Sequence, residues 1–367
     1  MQNNFHLIRF VAASLVLYGH CYPLTGRGTY DYLTIISQGI FPTSHMGVCI
    51  FFIVSGFLVG QSLMRSTSHF HMDTKYSINH IFNLSKNGIT DYLWKRIIRI
   101  FPALLVVLIL SVFVLGPICT SLPIEQYFSS AETYRYFKLI KLYPFVQNIL
   151  PGVFENNPEK QVNGSLWTLP YEITMYLFLA FLQLTNLFQK RNLLLILFLI
   201  SLPITIYLFF NYHPTSLIPI LHLSFAETLE FGIFFMSGTI MFLFQDKIPY
   251  RFVYFTMIIF VWFGLGLMHI TSSVMIKIIS FIALPYIVLY LAHLKGKING
   301  FSKLGDFSYG IYIYAFPVQQ MLIYFFGTNI SISKLFIYST LIVLPLSILS
   351  WYLVEEKALK LKSIKFT

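Results

Sequence analysis

The stretch LIRFVAASLVLYGH, residues 7–20, decides how the rest of the chain is read. It is an apolar run that nevertheless carries Arg9 and His20. As a helix, the separation of 11 residues is about three turns, so both side chains fall on nearly one face, roughly 16 Å apart along the axis. An arginine at membrane depth costs at least about 2.5 kcal/mol, so a helix that keeps one turns it toward protein, water or a ligand. This helix is therefore expected to wall a polar site. A fixed cation near one end and a titratable imidazole near the other suit an anionic substrate held while a proton moves.

Composition extends that reading to the whole chain. Of 367 residues, 56% are hydrophobic, 18% aromatic and only 11% charged, and the mean hydropathy is +0.71. Too few charges are present to coat a soluble domain, which makes this an integral membrane protein. Cys21, Cys49 and Cys119 lie in or beside apolar segments without metal-like spacing, so neither a disulfide nor a metal framework is expected. The amino-terminal MQNNFHLIRF has no basic n-region and no A-x-A site, so the first apolar segment is expected to be kept as a span.

Runs near 20 apolar residues predict an all-α helix bundle of about ten transmembrane helices, at 7–22, 46–64, 101–121, 168–188, 192–211, 226–244, 251–270, 273–294, 307–327 and 332–354. Prolines 203, 285, 317 and 345 fall inside spans and imply kinks that neighbours or water must satisfy. Nothing repeats at a fixed period and no Gly/Ser linker divides the chain, so residues 1–367 read as a single domain. Placing the amino terminus in the cytoplasm puts seventeen of the twenty-five basic residues inside and seven outside, with Arg9 within the first helix. The positive-inside rule then places both termini in the cytoplasm. The net charge of +11 reflects this asymmetry and contact with anionic membrane lipids, and no nucleic-acid partner is expected.

Two loops and two spans carry further chemistry. The inner loop, about 65–100, ends in DYLWKRIIRIFPALL, where Arg96 and Arg99 are neighbours on one helical face. They are either an anchor that snorkels to lipid phosphates or a guanidinium clamp for a phosphorylated ligand. The outer loop, about 122–167, mixes Glu125, Glu132, Glu155 and Glu159 with Tyr127, Tyr134, Tyr136, Phe137 and Tyr143, which suits a sugar surface and equally an interfacial aromatic belt. The second span, GVCIFFIVSGFLVG, carries Ser55 among three glycines, a pattern for close helix packing or close approach of a ligand. The fourth opens with NGSLWTLPYEITMYLF and places Glu172 about one turn inside from Trp167. That carboxylate is a structural partner for a basic group, a catalytic acid or an orienter of histidine; His20 shares its depth in this topology.

Arg9 with His20, FFIVSGFL, WKRIIRIFP, SLWTLPYEITMY and SYGIYIYAFP resemble, in order, the signature blocks of acyltransferase family 3. The resemblance reaches from residue 9 to about 317. It implies transfer of an acyl group, commonly acetyl, from cytoplasmic acyl-CoA to a glycan or lipid-linked oligosaccharide, in the cytoplasmic membrane of a bacterium. Carried over by position, Arg9 and His20 match the family's functional pair, Arg96 and Arg99 its basic motif and Glu172 its acidic position. Many members carry a histidine where this chain has Ala315, which shifts the expected catalytic burden to His20. The chain ends shortly after the tenth span, so no appended SGNH-type domain is expected.

The resulting assignment makes His20 the base and Glu172 its orienter, since acyl transfer from a thioester to a hydroxyl needs a proton acceptor and donors to the oxyanion. Arg9, Arg96 and Arg99 would hold the phosphates of acetyl-CoA or another acyl-CoA. Ser55, Trp167 and Tyr309 are possible substrate contacts, and Ser165 and Tyr309 possible oxyanion donors or mere helix-end anchors. His6, His45, His69, His71, His80, His213, His222, His269 and His293 show no ligand-like cluster, and no metal is assigned. An exopolysaccharide O-succinyltransferase, a flippase for a lipid-linked or anionic substrate and a non-enzymatic scaffold remain as alternatives.

Overall fold

Apolar periodicity and length produce helices throughout. The structure, a computed structural model, describes residues 3–28, 31–68, 78–144, 148–211, 217–218, 221–267 and 272–363. Its long helices are α1 (Phe5–Leu24), α2 (Thr43–Ser68), α3 (Ile78–Leu110), α4 (Leu169–Leu184), α5 (Arg191–Asn211), α6 (Phe225–Leu243), α7 (Phe252–Leu267), α8 (Ser273–His293), α9 (Ser308–Phe326) and α10 (Ile332–Ser350). Among the described residues eight helical stretches are long and apolar enough to cross a membrane, and α7 and α9 supply the other two predicted segments. The prolines at 203, 285, 317 and 345 lie inside α5, α8, α9 and α10, which continue through them. The only strands among the described residues are the two-residue pair Leu217–Ile218 and Leu223–Ser224. His69, His71, Lys75, His213, His269 and Lys365, and the side chains of His80, Lys86 and Lys297, lie outside the described residues.

The third segment departs most from its predicted bounds. It was expected to begin at 101 after a basic loop, yet α3 is already helical from Ile78, and Gly88–Cys119 forms one apolar stretch of 32 residues. At 1.5 Å per residue that stretch is about 48 Å long, well beyond the ~30 Å hydrocarbon core, so its basic first turns project past the membrane edge. Hydropathy marks where lipid begins, and the helix begins earlier.

Helix α2 is the centre of the bundle, and its small residues explain how. A Cβ on Gly47 would stand 2.5 Å from the Ala12 carbonyl oxygen of α1, and one on Gly56 would stand 1.8 Å from that of Phe235 in α6. Reciprocally, a Cβ on Gly238 would meet the Ile53 carbonyl oxygen at 2.1 Å. Thr239 Oγ1 donates to the Gly56 carbonyl at 3.0 Å across this seam. Backbones pressed this closely gain dispersion contacts that lipid tails cannot match. At the periphery α5 presents Ile196, Leu199, Ile200, Ile204 and Tyr207 outward, a surface suited to lipid.

The segment between α3 and α4 is bound to α9 by amides rather than left free. Asn157 Nδ2 donates to the Gln320 carbonyl and Oε1 at 3.0 and 2.9 Å, and Gln320 Nε2 returns two bonds of 2.7 Å to the carbonyls of Glu159 and Gln161. Asn163 Nδ2 donates to the Ile313 carbonyl at 2.8 Å. Of the aromatics expected to face sugar or interface, Tyr127 and Tyr136 are instead fully buried, and Tyr127 donates to the Val112 carbonyl.

Candidate active site

One end of the bundle gathers Asn4, the basic turns of α3, residues 305–309 and the carboxyl-terminal segment: Asn4 Nδ2 donates to the carbonyls of Leu291 and Leu294, and Trp94 Nε1 to that of Leu361. A cavity of about 400 Å³ opens there, within the range that holds drug-sized ligands. Its lining includes Arg9, Lys95, Arg96, Arg99 and Lys362 against the carboxylates Glu172 and Asp306, so its field is positive. Of the eight expected site residues, six line this cavity: Arg9, Ser55, Arg96, Arg99, Glu172 and Tyr309.

Asp306 organises the cations. Its Oδ2 accepts from Arg9 Nη1 and from Arg99 Nη2, both at 2.7 Å, while Oδ1 accepts from Ser308 Oγ at 2.5 Å. Burial alone would push this carboxyl up, but the guanidiniums of Arg99 and Arg9, with His6 adding to them, hold it well below the ordinary aspartate range. Gly305 makes the placement possible. Its φ of 105° favours glycine, and a Cβ there would stand 2.5 Å from Trp351 Nε1. A π-helical turn, Trp351–Glu355, follows α10, and its extra residue per turn brings both Trp351 and Glu355 to Arg99. The Arg99 guanidinium lies 5.8 Å from the centre of the Trp351 ring, and its Nη1 lies 3.9 Å from Glu355 Oε2.

Arg96 differs from its neighbours. It donates to Ser62 Oγ at 3.3 Å and lies over the Tyr92 and Tyr176 rings at 6.0 and 5.8 Å, but no carboxylate among the described residues pairs with it, and its buried Nε has no partner. Lys95 is tied to Asp91 at 2.5 Å and to Ser66 at 3.2 Å. Lys362 sits at the mouth, where partial burial and the charges of Arg99, Arg96, Lys95 and Arg9 push its ammonium down to about 8.

Deeper in the cavity, Glu172 Oε1 accepts from Ser55 Oγ at 3.3 Å and from the Tyr176 hydroxyl. It makes no bond to His20, so the expected orienting pair does not form: α4 turns the carboxylate toward α2 and the guanidiniums instead. Tyr309 lines the cavity, yet its hydroxyl donates to the Ile100 carbonyl at 2.9 Å. The floor is the hydrogen bond between Thr168 Oγ1 and the Tyr312 hydroxyl, 2.5 Å, with Tyr312 also donating to the Ser165 carbonyl at 2.6 Å.

His20 and Trp167 lie away from the cavity lining. The His20 ring packs edge-on against Phe316 at 5.3 Å, and its buried Nδ1 has no protein partner. Phe316 follows Tyr312 by four residues of α9, about 6 Å along the axis, so the imidazole stands one turn beyond the cavity floor. Ser165 is also buried there with its hydroxyl unpartnered. Trp167 meets Tyr171 and Phe231 edge-on or tilted, at 5.6 and 5.8 Å, as a packing residue.

Sequence reasoning missed Asp306, Glu355, Trp351, Lys362 and Tyr176. The acidic residue before SYGIYIYAFP and the VEEK segment after α10 were the available signals, since rare carboxylates beside a basic membrane edge need cationic partners. The expectation that the remaining histidines lack ligand-like company also fails, because His45 stands with Cys49 and Glu230 at the opposite end of the bundle.

Comparison with known proteins supplies the family. The family model described as an acyltransferase domain matches residues 2–356. The chain is 29% identical over 380 residues to an O-acetyl transferase of Shigella phage Sf6, covering 100% of this chain and 98% of the relative. It is 27% identical over 394 residues to nodulation protein 10 of Rhizobium leguminosarum bv. viciae, covering 99% and 94%. No solved structure matches. A polytopic helical bundle with these residues, matched along nearly its whole length, belongs to the acyltransferase 3 family of membrane acyltransferases.

Proposed function

We propose that the chain moves an acyl group, acetyl in the first instance, from acyl-CoA to a hydroxyl of a surface or lipid-linked polysaccharide, in the cytoplasmic membrane of a bacterium. The cavity mouth faces the cytoplasm in this reading, which the distribution of basic residues supports. The observation that carries it is the cavity itself, where five cationic side chains meet two carboxylates above a pocket with hydroxyl-bearing walls. Guanidinium forks match phosphate oxygens, and a phosphorylated donor supplies the negative charge this site lacks. The relative named as an O-acetyl transferase supports acetyl as the group transferred.

The residues divide the work by depth. Arg96, Lys95 and Lys362 take the donor's phosphates near the mouth, and the thin pantetheine arm runs past Arg9 and Arg99 toward Ser55, Tyr176 and Glu172. Glu172 fixes the Ser55 and Tyr176 hydroxyls. Beyond the Tyr312–Thr168 floor, His20 takes the proton from the acceptor hydroxyl as its oxygen attacks the thioester carbonyl. The buried Ser165 hydroxyl donates to the oxyanion. Collapse of that intermediate breaks the C–S bond, and the departing CoA thiolate recovers the proton from His20.

Purified protein in nanodiscs, given radiolabelled acetyl-CoA and candidate glycans, tests the proposal. Label should appear on the glycan, and His20→Ala should lower transfer by about 10² to 10⁴ while leaving acetyl-CoA binding intact. Wild-type transfer by His20→Ala overturns the role of the imidazole, and glycan movement without label overturns the transferase reading.

A further inference from the structure

The end opposite the arginine cavity holds a second concentration of polar chemistry. His45 and Cys49 are four apart on α2 and so share one face, and Glu230 of α6 meets them across the seam. One ligand atom from each, an imidazole nitrogen, Sγ and a carboxylate oxygen, lie within 4.8 Å of one another. His45 Nε2 stands 2.8 Å from Glu230 Oε1, and Lys277 of α8 donates to the same oxygen. Lys277 is fully buried among aromatic rings, its ammonium 4.2 Å from the Phe209 centre, 4.7 Å from Phe41 and 5.7 Å from Phe281. Cys49 is 0% exposed, and the His45 side chain, at 20%, gives the cluster its access to solvent. A Phe52–Phe231 stack, 4.6 Å between centres, separates it from the cavity that Phe52 lines.

An ion pair between Lys277 and Glu230 accounts for those two residues. It leaves a thiol and an imidazole gathered beside the same carboxylate in the apolar interior, three ligand-type atoms from two helices in one small space. We propose that His45, Cys49 and Glu230 form a binding site for a divalent ion of the zinc class. Tetrahedral zinc with bonds of about 2.0 to 2.3 Å sets its ligand atoms about 3.3 to 3.8 Å apart, between the 2.8 Å of the His45–Glu230 contact and the 4.8 Å that bounds the cluster, so modest rotamer adjustment fits the ion. Nitrogen, sulfur and oxygen together favour zinc over the oxygen-seeking magnesium and calcium.

Lys277 keeps its three aromatic faces when the metal takes the carboxylate. Glu227, one turn before Glu230 on α6, faces the same region and accepts from the Tyr171 hydroxyl at 2.8 Å. The ion would fasten α2 to α6 at the end of the bundle that carries His20.

The full-length protein, purified in detergent without chelators, loaded with zinc and desalted, tests the site by elemental analysis, with cobalt substitution as the optical reporter. The expected result is one zinc per chain and a thiolate-to-cobalt charge-transfer band. Cys49→Ser should abolish that band and weaken zinc binding at least about tenfold, as should Glu230→Gln, with size-exclusion profiles unchanged. Absence of zinc from loaded wild-type protein, or undiminished zinc and cobalt absorption in Cys49→Ser, overturns the proposal. Neither readout depends on acyl transfer.

Discussion

Replacing Asp306 by asparagine tests the electrostatic design of the cavity most directly. The wild-type carboxylate is 3% exposed and accepts charge-assisted bonds from two guanidiniums, each on a side chain 18% exposed. Asp306→Asn retains the shape and removes the charge, leaving Arg9 and Arg99 to repel across the space that one oxygen had bridged. Breaking a buried ion pair costs about 3 to 5 kcal/mol, and because both arginines line a cavity and are partly exposed the lower figure applies. About 3 kcal/mol is somewhat more than a hundredfold in the ratio of folded to unfolded protein. Thermal unfolding in detergent should show a fall in midpoint, and Arg9→Gln combined with Asp306→Asn should be less unstable than the two single losses added. Because the folded carboxyl is held below its unfolded value, its contribution is present above the unfolded pKa and vanishes only as pH falls through the lower folded one. The difference between wild type and Asp306→Asn should therefore be flat from about pH 5 to 8. An Asp306→Asn protein within about 0.5 kcal/mol of wild type would refute the clamp.

Arg96→Ala should weaken acyl-CoA binding by at least about tenfold and flatten its dependence on salt, because this guanidinium has no carboxylate partner among the described residues and so carries its charge to the ligand; calorimetry with unchanged affinity would contradict that. Lys362 loses its proton near 8, so acyl-CoA affinity should decline as pH rises through that value, and Lys362→Gln should remove that step from the binding profile. At the α2–α6 seam, Gly56→Ala must push a methyl against the Phe235 carbonyl and should lose about 1 to 3 kcal/mol or more, seen as lower folded yield on size exclusion.

Much of this was legible in the chain because a bilayer restricts what a sequence can do. Apolar length alone located the ten long helices of the described residues, and the cost of an intramembrane cation singled out Arg9 before any contact was known. Arg96 and Arg99 gather with it because the basic membrane edge is readable from sequence, whereas Glu172, which depth placed beside His20, lines the arginine cavity instead. Rotation about the helix axis is not readable in this way. Depth placed His20 and Glu172 together, whereas α4 turns Glu172 toward Ser55 and Tyr176. Asp306 was missed for a similar reason: its role arises from a glycine with positive φ and a π-turn 46 residues later, neither of which has a hydropathy signature. The His45, Cys49 and Glu230 cluster was invisible because its members come from spans separated by some 180 residues.

The placement of the two polar regions bears on how the reaction is organised. Water reaching His20 through the cavity would let the acyl thioester hydrolyse, and a histidine within the cavity would meet that water whether or not an acceptor was bound. The structure sets the imidazole one turn of α9 past the Tyr312–Thr168 bond, against Phe316, with its Nδ1 unpartnered. A thioester that threads the floor would reach His20 only by parting that bond, which frees the Thr168 hydroxyl to donate to the acyl carbonyl while Tyr312 keeps its bond to the Ser165 carbonyl. In the proposed reaction, phosphate binding at the mouth and proton transfer at the far end would then be coupled through one hydrogen bond. Tyr312→Phe, which removes the bond while keeping the ring, should raise acetyl-CoA hydrolysis relative to transfer, and an unchanged ratio would show that the floor does not separate the two.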